Sequence, residues 1–172
     1  MRWLPFQLNP DLPEGGIPRE EYVARKFGAR GKAVSDPVTM AGRQVGIPFA
    51  YEKMKVQPNT VNAHRLLYFA ERAGRQDELA EELFRAHFTE GANLTDREML
   101  ADVAARAGLD RKAAADYLAS DADRDTLARA EEEALRAGIG GVPFFIFNRK
   151  LGVSGAQDPE TLLDAIEQAL HE

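Results

Sequence analysis

Apolar residues recur at three- and four-residue spacing through most of this chain and change to period two or to continuous runs only near its end. In "PNTVNAHRLLYFAERAG", Val61, Ala63, Leu66, Leu67 and Ala70 fall near one helical face, with Asn59 or Thr60 as cap and Gly74 as terminator. "RQDELAEELFRAHFTEG" repeats the device with Leu79, Leu83, Phe84, His87 and Phe88. Thr95 with Glu98 reads as a T-x-x-E capping box ahead of "MLADVAARAG", and shorter helices are predicted at 110–119 and 121–137. Upstream, "PREEYVARKFG" starts on a proline suited to a first helical turn and closes on Gly28. "DPVTMAGRQVG" predicts a second helix with Ser35 or Asp36 as cap.

Three segments break the helical period. "RWLPF" predicts a short strand over 2–8, followed by the turn formers of "NPDLPEGG". "PFFIFN" and "LGVSG", joined through the basic turn Arg149-Lys150, predict a hairpin. "DPETLLDAIEQAL" then reads as an amphipathic helix capped by Asp158, with Leu162, Leu163, Ile166 and Leu170 facing a sheet that it must cover. Strand elements at both ends with helices between them predict an α/β fold whose crossover carries a helical insertion.

Pro143, directly ahead of "FFIF", raises its own question. Proline gives no amide proton to a ladder and belongs at the first residue of a strand, at a bulge or on an edge. Gly138, Gly140 and Gly141 are consistent with an ordinary loop after a helix, whereas a tight turn is consistent with a cis Val142-Pro143 bond. Local sequence leaves both readings open.

Composition narrows the function classes. The chain has 172 residues, 44% of them hydrophobic, enough for one domain with a core, and its formal charge of -6 is spread without a basic cluster. Tracking a nucleic-acid backbone is therefore not expected. No apolar run reaches the roughly 20 residues that span a bilayer, and no signal-peptide core opens the chain, so a cytoplasmic protein without membrane contact is expected. The cysteine count is zero, which leaves these residues no disulfide, thiolate nucleophile or thiolate metal site.

The order of elements, with "WLPFQLNPDLP" at 3–13, "PNTVNAHRLL" at 58–67, "LFRAHFTEGANL" at 83–94, "GIGGVPFFIFN" at 138–148 and "VSGAQ" at 153–157, resembles the DsbA-like branch of the thioredoxin superfamily, FrnE-type members above all. The resemblance implies a single domain over 1–172, with residues 1–17 and 138–172 forming a thioredoxin-like sheet portion and 18–137 a large all-helical insertion. It implies thiol:disulfide exchange as the parent activity and a cis Val142-Pro143 bond facing a C-x-x-C motif. Val142 and Pro143 are the substrate-binding residues that it assigns, offering backbone to an extended thiol-containing peptide or protein. The family's first strand and redox helix precede the segment matching "RWLPFQLNP", so the expectation is a truncated form, inactive alone, with no catalytic residue, cofactor or metal of its own. A strand-exchanged homodimer is expected to repair the sheet. The alternatives are a glutathione-dependent isomerase or transferase of the kappa-like group, with glutathione as partner, and a non-catalytic peptide-binding module.

The remaining candidates carry weaker signals. His64 and His87 read as helix residues packed against neighbouring helices, His171 as solvent-exposed, and their spacing matches no metal motif. The glycines at 138, 140 and 141 follow a helix and precede a strand, the reverse of a nucleotide fingerprint. Ser154 begins the turn into the last helix, whose amides could receive a carboxylate.

Overall fold

Helix starts and stops are set locally, and most of them fall where the hydrophobic period placed them. The computed structural model describes residues 1–28 and 35–171. In order these form β1 (Ile17–Pro18), α1 (Arg19–Phe27), α2 (Ser35–Gln44), a 3-10 turn (Tyr51–Lys53), β2 (Val56–Gln57), α3 (Val61–Arg72), α4 (Gln76–Phe88), α5 (Arg97–Arg106), α6 (Arg111–Ala119), α7 (Arg124–Arg136), β3 (Phe144–Phe147), β4 (Leu151–Ser154) and α8 (Pro159–His171). The fold is thus mixed, with eight α-helices and two two-stranded antiparallel sheets among the described residues. None of these helices is long and apolar enough to cross a membrane. The cap expected at Ser35 or Asp36 falls on side chains outside those described.

Two compact units divide the chain, Met1–Leu127 and Ala128–Glu172, with the boundary inside α7. The core of the first is built by α3 to α6, where Leu66, Leu79, Leu100, Val103 and Leu118 are fully buried. Each such side chain contributes about 1.5–3 kcal/mol by leaving water. Arg65 is buried among them, and its guanidinium is satisfied by neutral acceptors: Nε donates to Ala122 O at 2.7 Å, Nη1 to Asn62 Oδ1 at 2.8 Å and Nη2 to Ser120 O at 2.6 Å. These bonds close the α6–α7 loop onto α3. Tyr117 completes the closure by donating its hydroxyl to Arg65 O at 2.9 Å.

The strand predicted over 2–8 is not formed. A ladder needs a neighbouring backbone, and here the backbone groups of the segment go to side chains. Gln76 acts as a surrogate strand partner, accepting from Trp3 N at 2.9 Å and donating to Trp3 O at 3.1 Å. Arg2 pairs with Glu71 at 2.6 Å, the Trp3 indole donates to Asp77 at 2.6 Å, and Asn59 Nδ2 donates to Leu12 O at 2.7 Å. The segment is therefore strapped along α3 and the start of α4.

Other differences are local. The region expected to be all-helical contains the short β1–β2 ladder, pairing Ile17 with Gln57 and Pro18 with Val56. Gly16 makes that approach feasible: its φ is +71° and a Cβ there would lie 2.5 Å from Gln57 O. The cap of α5 is Asp96, whose carboxylate accepts from Glu98 N and Met99 N, while Thr95 turns its hydroxyl to Asn93. A carboxylate one residue closer to the helix displaces the hydroxyl that the T-x-x-E pattern nominated. For α3, Thr60 occupies the cap position but Asn59 Oδ1 accepts from Val61 N.

Candidate functional site

The second unit presents its chemistry along a strand edge. β3 and β4 pair antiparallel, with Phe144 opposite Ser154, Phe145 opposite Val153, Ile146 opposite Gly152 and Phe147 opposite Leu151. Asn148 and Arg149 turn the chain with φ of 50° and 59°, as the primed hairpin turns require, and Lys150 N donates to Phe147 O at 3.0 Å. Asn148 Nδ2 also donates to Ala169 O, fixing the turn to the end of α8. An isolated two-stranded hairpin is marginal in water, so α8 supplies the cover that holds it.

Alternation of exposure shows which face α8 covers. Phe145, Phe147, Leu151 and Val153 are half-buried on one side, with the two phenyl rings stacked 6.5 Å apart. Ile146, Gly152 and Ser154 are exposed on the other side. There the Phe144 ring lies over Gly152, where a Cβ would meet it at 2.8 Å. The helix does not use the stripe the sequence nominated. Ala165 and Ala169 are the buried positions of α8, Leu162 is half-buried, and Leu163, Ile166 and Leu170 are exposed. At 3.6 residues per turn the apolar arc from Ala165 to Leu163 is about 160° wide. A two-stranded hairpin covers only part of such an arc, and the alanine side gives the closer approach.

The Val142-Pro143 peptide bond is cis, and Val142 is half-exposed. Gly155 N donates to Pro143 O at 2.9 Å, which places Pro143 on the β4 side of the ladder. Hydrogen-bonded pairs recur at every second residue of an antiparallel ladder, so Phe145 and Phe147 also face β4. Phe144 and Ile146 then direct their N–H and C=O groups to the opposite edge, where β3 has no neighbour among the described residues. The missing proline amide thus falls on the occupied side, and the open edge keeps its donors.

The other sequence candidates lie elsewhere in the fold. His64 hydrogen-bonds the Phe6 backbone, while its Nδ1 is buried without a partner; burial depresses its pKa to about 4. His87 approaches Ala92 O through Nδ1 at 3.3 Å and meets Phe88 edge-on, with burial again lowering its pKa. His171 is exposed. Ser154 is the last residue of β4, and the α8 N-terminus behind it already holds an anion: Asp158 accepts from Thr161 N at 2.8 Å. Two shallow clefts in the first unit, one lined by Arg75, Glu82 and Arg106 and one by Arg2, Glu71 and Asp77, hold charges of both signs and do not include the β3 edge.

Sequence reasoning named Val142 and Pro143, and it read the hairpin but not which of its residues face the unpaired edge of β3. "FFIF" is apolar throughout and so carries no alternation that would have shown it.

Comparison with known proteins yields three findings. A family model described as DSBA-like thioredoxin domain matches residues 1–167. The crystal structure of a probable DsbA oxidoreductase from Streptomyces coelicolor is similar with a TM-score of 0.88 and 31% identity, covering 97% of this chain and 74% of that one. An uncharacterized protein of Bacillus subtilis, YwbO, is 25% identical over 174 residues, covering 96% of this chain and 80% of that protein.

Proposed function

This chain belongs to the DsbA-like thioredoxin-domain family, and from that premise we propose that it serves thiol:disulfide exchange, in the manner of the FrnE-type branch, as the part that holds the partner. The observation that carries this reading is the cis Val142-Pro143 bond with Val142 half-exposed ahead of it. An extended thiol-bearing peptide adds in the manner of a strand at the backbone of Val142, beside Pro143.

Exchange requires a thiolate that attacks one sulfur of a disulfide, forms a mixed disulfide and releases the other sulfur as a thiolate. These 172 residues contain no cysteine and so hold no attacking group. The reading therefore separates binding, assigned to Val142 and Pro143, from electron transfer, for which these residues hold no thiol. Glutathione is the weaker partner, because Asp158 already occupies the helix terminus that would receive its carboxylate.

Fluorescence anisotropy with an eight-residue apolar peptide, serine in place of cysteine, tests the binding step. The peptide is expected to bind, and the same peptide N-methylated at alternate amides is expected not to. Equal binding of both peptides rules out strand addition. Concentration-dependent light scattering with no peptide binding indicates instead that two copies exchange strands through the unpaired edge of β3. In a parallel assay, insulin reduction is expected at the buffer background.

A further inference from the structure

The turn after β4 is tied to Pro143 by two hydrogen bonds that share one peptide group. Gly155 N donates to Pro143 O at 2.9 Å, and Gln157 Nε2 donates to Ser154 O at 2.8 Å. Ser154 C=O and Gly155 N–H belong to the same planar peptide unit, so the two bonds hold it from opposite sides. The carboxamide also lies against the glycine, where a Cβ would meet Gln157 Nε2 at 3.5 Å. Glycine suits this position because its φ is +87°. Gln157 is itself anchored, since the next residue, Asp158, caps α8 by accepting from Thr161 N.

We propose that Gln157 is a positioning residue for peptide binding, which holds Pro143, and with it the Val142 backbone, through the Ser154–Gly155 peptide group. This role rests on the assignment of binding to Val142 and Pro143 above. The pyrrolidine ring already fixes φ of Pro143, so the one soft dihedral left to it is ψ, which sets the direction of its carbonyl. The bond from Gly155 N fixes that direction. A donor on Ser154 O polarises the shared amide and makes Gly155 N–H the stronger donor, as in any chain of hydrogen-bonded amides. Without the carboxamide, Ser154 O turns to water, and a glycine with no Cβ lets the peptide group rotate. Val142 then stands on a looser support, and a peptide must order it on binding.

The test uses the full chain and a rhodamine-labelled eight-residue apolar peptide with serine in place of cysteine. Gln157→Glu keeps the shape of the side chain and replaces the donating nitrogen by an acceptor. At about pH 7 it is expected to bind the peptide about fivefold more weakly than the wild-type chain, the scale of one hydrogen bond. Exchange of the Gly155 amide proton should accelerate about as much. With the wild-type chain measured at each pH, the deficit should close toward about pH 4, where a protonated carboxyl regains a donor for Ser154 O. Gln157→Ala should show the same loss without the recovery, with circular dichroism confirming that each variant remains folded. Equal affinity of the wild-type chain and Gln157→Glu overturns the positioning role and leaves binding at Val142 and Pro143 standing. A loss of affinity with Gly155 exchange unchanged also removes the role, because the side chain would then act on the peptide itself. Failure of the wild-type chain to bind overturns the two readings together.

Discussion

The two compact units solve the same problem of covering apolar surface to different extents. In the first, five large side chains are sealed among α3 to α6, and the buried guanidinium of Arg65 finds carbonyl and amide acceptors. In the second, only Ala165 and Ala169 of α8 are buried, while Leu163, Leu170, Ile146 and Val142 stand in solvent. A hairpin and one helix have too little facing area to bury a wide apolar arc, whereas four helices packed on one another have enough. The lesson is that the first unit seals its apolar surface by packing helix on helix, whereas the second leaves most of its larger apolar side chains in contact with solvent.

The largest test of that contrast compares leucines. Leu66→Ala is expected to destabilise the first unit by about 2–5 kcal/mol through lost transfer energy and a cavity. Leu170→Ala, with the residue 72% exposed, should change stability by less than about 0.5 kcal/mol. Trp3 is the single tryptophan and packs on Phe84, so its fluorescence in urea titrations reports the first unit. A large effect at Leu170, read from hydrogen exchange across α8, would break the comparison.

The seal of the first unit is expected to fail toward acid. His64 titrates at about 4 in the folded protein against 6.5 as a free side chain, lowered by burial and only partly compensated by its bond to the Phe6 backbone. The unfolded chain therefore binds the proton first. Stability conferred by the neutral ring is complete above pH 6.5, is lost as pH falls toward 4, and is constant below that. The shift corresponds to about 3 kcal/mol at most. His64→Asn should flatten the decline over this window in urea titrations, and an unchanged slope between pH 6.5 and 4 would remove His64 from the role.

The close approach of Phe144 to Gly152 on the exposed face of the hairpin is smaller in effect. Gly152→Val would drive a side chain into the Phe144 ring and should cost about 1–3 kcal/mol. Hydrogen exchange at residues 144–154 should accelerate, while the Trp3 transition should stay in place. A shift of both would show that the two units unfold together.

The smallest expected effect sharpens the account of the closed unit. Asp96→Ala should cost about 1 kcal/mol by removing the cap of α5, and Thr95→Ala markedly less. The reverse order in urea midpoints would restore the capping box read from the sequence.

Periodicity and turn chemistry by themselves determined α3 to α8 to within a few residues, the hairpin with its basic turn, the cap at Asp158 and the terminator at Gly74. These features are local: a 3.6-residue stripe, a cap and a left-handed turn each depend on neighbours within a few positions. Tertiary structure decided the rest. Residues 2–8 have the composition of a strand, yet a strand exists only where another backbone pairs with it, and Gln76, about 70 positions away, took that place. The face of α8 that is buried was settled by which side could approach the hairpin most closely, and two alanines prevailed over three larger residues. Pro143 could be recognised from sequence as a special position, but only the pairing of its carbonyl with Gly155 showed on which side of β3 the missing amide lies. That side is the occupied one because ladder bonds alternate along the strand, which turns the N–H and C=O groups of Phe144 and Ile146 to the other side.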